Sequence, residues 1–196
     1  MWTDNIVVHP WIGGKYFRPF RFKHKTLILG ESNYTEVNKF SSRLVIECVE
    51  NDCTTNPSEE RDTSGFCKFA TKIRRTVFGH NEQINPNDFW QDVAFYNFVQ
   101  SRVGDKARIR PTPEMWQESA PAFFEVVSML RPDRLLVLGK RNWNNLLRYV
   151  DHQAIDQFAA NLKVGSEFVT AGYINHPSSA FSYSTWQPIA QRLLLA

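Results

Sequence analysis

Four short apolar runs, separated by amphipathic stretches, leave this sequence few ways to fold. Residues 26–29 (TLIL) run into Gly30, residues 93–99 (VAFYNFV) carry Asn97, residues 135–138 (LLVL) run into Gly139, and residues 168–174 (FVTAGYI) end at Asn175. Each is too short for a helix and too evenly apolar for a half-exposed strand, so each reads as a strand buried on both faces. Between the second and third runs, Trp116, Phe123, Val127 and Leu130 fall on one helical face within 112–130. Pro121 is predicted to split that helix, with Ser119 capping its second part. After Gly139, Trp143, Leu146, Leu147 and Val150 recur at i, i+3, i+4 and i+7, the spacing of an amphipathic helix. Ser184 with Gln187 resembles a capping box before Ile189, Leu193 and Leu194. The polar, turn-rich 51–62 segment reads as a surface loop. Strands alternating with helices predict an α/β protein, a three-layer α/β/α sandwich around a central, mostly parallel four-stranded sheet. A length of 196 residues fits one domain spanning 1–196.

Composition removes several function classes. With 42% apolar, 14% aromatic and 22% charged residues, the chain lies outside the regime of disorder. No window approaches the ~18 uncharged apolar residues of a membrane span, and Asp4 stands where a signal peptide would be basic. The expectation is a soluble, cytoplasmic, monomeric protein with no membrane partner. Cys48, Cys53 and Cys67 are odd in number and form no CxxC pair, so neither a disulfide framework nor a zinc ribbon is signalled. An iron–sulfur cluster would usually need a fourth thiolate. A mixed site with His80 is the alternative to three ordinary thiols, and no metal or cofactor is expected.

In open parallel sheets the site lies outside the carboxyl ends of the strands. That rule selects three stretches here, 30–34, 97–100 and 175–183, each carrying or adjoining a motif. The first motif is Gly30-Glu31-Ser32-Asn33-Tyr34, with neither GxGxxG nor GxxxxGK[ST] to support a nucleotide loop. The second is Phe95-Tyr96-Asn97-Phe98, where an amide among aromatics is bonded to backbone or reserved for a ligand. The third is Asn175-His176-Pro177-Ser178-Ser179, followed by Phe181 and Tyr183; Pro177 biases His176 toward an extended backbone. No Ser–His–Asp order or HExxH spacing competes with it.

Together, GESNY, AFYNF, LVLGK and NHPSS resemble the motifs of the uracil-DNA glycosylase superfamily, in the family's order and from about residue 26 to the C-terminus. The resemblance implies a cofactor-free, monofunctional enzyme whose partner is DNA. It would cleave the bond between a flipped-out base and its sugar, since the target atoms are inaccessible inside a duplex. It implies that His176 donates a hydrogen bond to the departing base anion and that Asn97 reads the base edge. Tyr34 would line the pocket with Gly30, Ser32 and Phe98. Pro177, Ser178, Ser179, Phe181 and Lys140 would contact DNA. Phe66, Phe69 and Phe95 join Phe98 as rings able to stack on a base, with core packing as their other use.

The first motif departs from the family. Ser32 stands where the family has a water-positioning Asp or Asn, Asn33 replaces proline, and Glu31 replaces glutamine. Glu31 is the first choice to hold the water, Asp92 the second, with Asn33 and Asp88 as further alternatives. The changed motif also opens the base to larger modified pyrimidines, including hydroxymethylated or glucosylated cytosines of phage DNA, in repair or defence. A catalytically silent DNA-binding member of the fold and an unrelated small-ligand α/β hydrolase are the other readings.

Charge enters last because its sum says little. Twenty-three Lys+Arg against 20 Asp+Glu gives +3. The cations cluster at 15–25, 68–75 and 102–110, while 47–62 is mostly acidic. Three solvated surfaces would explain this. A DNA-binding cleft instead predicts that all three basic groups rim the site, with the acidic stretch away from it.

Overall fold

A computed structural model describes residues 2–54, 65–79, 84–106, 109–178 and 181–196. The four apolar runs form β2 (Thr26–Gly30), β4 (Val93–Asn97), β6 (Arg134–Leu138) and β9 (Glu167–Ile174), which are parallel and adjacent in the order β4-β2-β6-β9. Among the described residues the sheet has seven strands rather than the predicted four. Two-residue β1 (Trp11–Ile12) runs antiparallel to β4 at one edge. At the other, β8 (Ala159–Val164) runs antiparallel to β9 and β7 (Asp151–Ala154) antiparallel to β8. These flanking strands carry weak signals for a physical reason. All four residues of β7 are exposed, and β8 buries only alternate residues Ala160, Leu162 and Val164. A second ladder of β3 (Asn33–Tyr34) with β5 (Arg102–Gly104) holds the first motif.

The pleat sends successive side chains to opposite faces, and each face has its own core. Leu27, Leu29, Ala94, Tyr96, Leu135 and Val137 meet α4 (Pro113–Leu130) and α5 (Lys140–Leu146). Ile28, Phe95, Leu136, Leu138 and Ile174 meet α1 (Leu44–Thr54), α2 (Gly65–Phe78), α3 (Pro86–Asp92) and α6 (Tyr183–Leu194). Helices therefore cover both faces of a sheet whose central strands are parallel. Each large apolar side chain so enclosed contributes about 1.5–3 kcal/mol.

Three local expectations need correction. Helix α4 is continuous through Pro121. Its buried face of Trp116, Phe123, Val126, Val127 and Leu130 outweighs the ~3 kcal/mol cost of an interior proline. Ser119 is no cap: its hydroxyl donates to the Met115 carbonyl (2.7 Å) and accepts from the Gln100 N–H (2.9 Å). The cap is Thr112, which accepts from the Met115 N–H. Helix α6 begins at Tyr183, one residue before Ser184, so the capping-box register is also wrong. Residues 51–54 belong to α1 rather than a loop, because Asp52 is buried there as the acceptor for Arg74 and for the Trp90 indole N–H (2.7 Å). The rest of the predicted loop, 55–62, lies outside the described residues.

Candidate active site

The register aligns the carboxyl ends of the parallel strands: Gly30 sits opposite Asn97, and Leu138 opposite Ile174. All three motifs leave the sheet at this edge. After Gly30 the ladder persists, with Phe98 N–H donating to the Gly30 carbonyl and Val99 N–H to the Glu31 carbonyl (both 3.0 Å). Glu31, Ser32 and Asn33 are consequently buried.

Asn33 and Asn97 form one unit. The Asn97 amide Nδ2 donates to Asn33 Oδ1 at 2.8 Å, and Asn33 Nδ2 donates to the Val99 carbonyl at 3.1 Å. Gly30 makes the pairing possible, since a Cβ there would stand 1.9 Å from Asn97 Oδ1. Below them, Gln100 donates to the Asn97 carbonyl and accepts from the Val8 N–H, both at 2.9 Å. Buried Asn142 donates to the Leu29 carbonyl from α5 at 3.1 Å. Gln100 falls within the strand-end stretch 97–100 but was given no role there, and Asn142 was missed in the sequence. Asn142 had one signal, a polar residue beside Trp143 in the first turn after the strand-ending Gly139.

His176 leaves β9 beside Gly139, which has a φ of 101° and where a Cβ would stand 3.5 Å from the His176 Cβ and 3.8 Å from its Cδ2. Its Nδ1 accepts from the Ser178 backbone N–H (3.3 Å) and lies 2.7 Å from the Ser178 hydroxyl. An N–H donor pointing at Nδ1 requires the neutral ring to carry its proton on Nε2. Burial, and secondarily the Arg110 cation, depress the imidazole pKa to about 4. The ring is therefore a neutral donor at physiological pH. The centroid of the half-buried Phe69 ring lies 5.3 Å from that of the imidazole, at the same strand-end edge.

Arg110 joins the first and third motifs. Its guanidinium approaches Glu31 Oε1 at 3.5 Å and acts electrostatically on His176. The Arg110 side chain is 59% exposed, whereas Glu31 is 7% exposed, so a buried carboxylate meets a cation reaching in from the rim. Ser32 donates to the Tyr34 hydroxyl at 3.0 Å. Lys72 donates to the Pro177 carbonyl at 2.8 Å, and exposed Lys140 opens α5 next to Gly139. Arg102 donates to the Thr35 carbonyl. Half-buried Phe181 follows the third motif, stacked edge-on with Tyr183.

The structure separates Asp92, Asp88 and the Phe98 ring from this edge. Asp92 precedes β4 and sits at its amino end, where its carboxylate accepts from the Phe20 and Arg21 N–H groups (3.1 and 2.8 Å). Asp88 pairs with Arg21 at the same end. Neither can hold a water near Gly30, since a five-residue strand spans about 16 Å. Phe98 is fully buried against Trp116, Phe123 and Tyr149, with centroids 5.0–5.8 Å apart, and belongs to the core rather than a base pocket. Phe66 and Phe95 pack on Trp90 and also on Phe69, with centroids 5.8 and 6.4 Å from it, and Phe95 Cε2 lies 3.4 Å from where a Gly30 Cβ would stand, so these rings run from the site edge into the core. Of the three basic groups, 68–75 and 102–110 reach the site through Lys72 and Arg110, while 15–25 lies at the opposite end. Ser179, Arg108 and His80 fall outside the described residues.

Among the described residues, no group of three or more His, Cys, Asp or Glu is placed to hold a metal ion. Burial pushes the Cys48 and Cys53 thiols up to about 11, so both stay protonated at neutral pH. No helix among those residues is long and apolar enough to cross a membrane. A scan against protein-family models finds none that matches the chain, and a search of curated proteins finds no match.

Proposed function

We propose that this chain is a monofunctional DNA glycosylase of the uracil-DNA glycosylase type. It hydrolyses the N-glycosidic bond of a flipped-out uracil or modified pyrimidine and leaves an abasic site, in repair or in defence against modified phage DNA. One observation carries the reading: neutral His176, in its Nε2–H tautomer, shares a strand-end edge with buried Glu31 and the fixed Asn33–Asn97 amide pair.

The reaction asks for stabilisation of charge at two places. As the C1′–N bond breaks, its electron pair passes to the base and the sugar becomes oxocarbenium-like. An Nε2–H donor already fixed by Ser178 meets the developing base anion without reorganising, the arrangement that lowers such barriers most. A neutral imidazole suits this task, since it donates without transferring its proton. The Glu31 carboxylate offsets positive charge on the sugar and orients the attacking water, taking its proton as the C1′–O bond forms. Asn97 has its Nδ2 committed to Asn33, so it presents Oδ1 as an acceptor. That acceptor suits the ring N3–H of uracil and equally the exocyclic amine of a cytosine.

The test is incubation with duplexes carrying uracil, hydroxymethylcytosine or glucosylated cytosine, followed by alkaline cleavage of abasic sites. Strand scission on at least one is expected. A catalytically silent DNA-binding protein is the second reading, favoured because Ser32 is bonded to Tyr34 and Asn33 to Asn97 and Val99. DNA binding without scission on any substrate selects it. Loss of both activities selects an unrelated α/β hydrolase.

A further inference from the structure

The basic group at 15–25 is the one sequence feature the strand-end site does not absorb. Residues 14–25 (GKYFRPFRFKHK) connect β1 to β2 across the amino ends of the parallel strands. Two of their aromatics are anchors. Tyr16 is fully buried with its hydroxyl directed at the Leu130 carbonyl (3.4 Å), and Phe22 packs edge-on against Phe78 and Phe89. Between the anchors, Phe17 is 63% exposed and Phe20 81% exposed. Large exposed rings are unremarkable singly, but here two stand three residues apart among cations.

The segment is held in place. Asp92 accepts from two consecutive backbone N–H groups, those of Phe20 and Arg21, and Lys15 N–H donates to the Gln91 carbonyl at 2.8 Å. The Arg21 guanidinium bonds Asp88 at 2.8 Å and lies 5.7 Å from the centroid of the Phe20 ring. Those contacts fix which side chains face outward before any partner arrives. The acids nearby are engaged: Asp88 and Asp92 with Arg21, Asp133 with Lys25. Exposed Lys15, Arg18 and Lys23 take part in no ion pair among the described residues. The face is therefore positive, with two rings held out into water.

We propose that this face is a second DNA-binding surface, taking single-stranded DNA with unpaired bases stacked on Phe17 and Phe20 and phosphates on Lys15, Arg18 and Lys23. Stacking rings interleaved with cations bind single strands with little sequence preference, because every base has a π-face and every nucleotide a phosphate. Only unpaired bases offer those faces to a side chain. The loop is no amphipathic helix and offers two rings rather than a continuous apolar face, which argues against a lipid surface. The choice of DNA rests on the glycosylase reading; the placement of rings and charges does not.

Fluorescence anisotropy of labelled (dT)20 tests it with the wild type, F17A/F20A, K15E/R18E/K23E and, as a control on the exposed side of α4, E118Q. The wild type and E118Q are expected to bind alike. F17A/F20A should weaken binding by on the order of tenfold or more. The charge reversals should weaken it further and flatten its salt dependence by about two to three phosphate contacts. Far-UV circular dichroism checks the fold, and F20W adds a direct readout, tryptophan quenching as oligonucleotide is added. Wild-type affinity in both surface variants would overturn the proposal. So would a wild type that fails to bind (dT)20, or one that floats with phosphatidylserine vesicles while ignoring it. Excision assays are read separately, so failure of the glycosylase reading and of this one are distinguishable.

Discussion

At the carboxyl ends of β2, β4 and β9, buried Asn33, Ser32 and Glu31 are bonded to Asn97, Tyr34 and Arg110, and half-buried His176 to Ser178. At the amino ends of the same strands the arrangement is reversed. There a single buried carboxylate, Asp92, holds backbone, while rings and cations project into solvent. The contrast is one of physical purpose. Buried, mutually satisfied polar groups act at short range in a low dielectric and must be placed before the reaction begins. Exposed rings and cations tolerate variable partners because they lose little on rearranging.

The largest expected difference between the ends comes from His176→Ala. Removing a fixed donor to a developing anion costs about 10²–10³ in excision rate, or ~3–4 kcal/mol. Single-strand binding at the other end is expected to stay at the wild-type level. Single-turnover excision beside (dT)20 anisotropy measures both, and a parallel fall in the two would dissolve the distinction.

Gly30→Ala comes next. Its Cβ would overlap Asn97 Oδ1, so the amide pair must rotate or shift. A displacement near 1 Å in a positioned group costs about 10²-fold in rate. The expected signature is a lowered kcat with a modest loss of stability, because Asn97 is half-buried and can move outward. Unaltered kinetics would show that the amide pair is scaffolding only.

How much of this was readable in the sequence depended on burial. The four central strands showed as apolar runs because both their faces are covered, and the three motifs marked the correct edge because those runs end there. Exposed β7 carried no pattern at all, so the width of the sheet was not readable. Asp92 and Phe98 misled for a shared reason. Both adjoin a motif in the chain, but a strand carries its two ends about 16 Å apart and turns successive residues to opposite faces. Thus Asp92 belongs to the far end, and Phe98 to the core beneath α4. Arg110 was visible only as one cation in a cluster, since its pairing with Glu31 spans 79 residues.

Asp92→Asn sharpens the comparison from the amino end. The substitution keeps one acceptor oxygen but removes the charge that two N–H groups and Arg21 share, a loss of about 2 kcal/mol in stability. Denaturant unfolding should report that loss, and (dT)20 affinity should fall because Phe20 is no longer held. Excision by the folded enzyme should not change. A collapse of excision with normal stability would instead return Asp92 to the water.

The smallest effect concerns Arg110, and it is a shift of pH rather than of rate. His176 binds a proton near pH 4 in the folded chain and near 6.5 when unfolded. Between those values the unfolded chain carries the extra proton, so stability falls as pH drops through this window, by up to about 3 kcal/mol. Above 6.5 both states are neutral and the group contributes no pH dependence. Arg110→Met removes the lesser of the two causes and leaves burial in place. The imidazole pKa should therefore rise by about half a unit, the size of an interaction between partly exposed charges, and remain below 6.5. The acid limb of excision should move up with it, because protonation at Nδ1 displaces the Ser178 N–H that fixes the ring. Arg110→Lys should keep both near the wild-type position. Imidazole C–H shifts followed by NMR against pH read the pKa directly, and an unmoved titration would remove Arg110 from the electrostatics of the site.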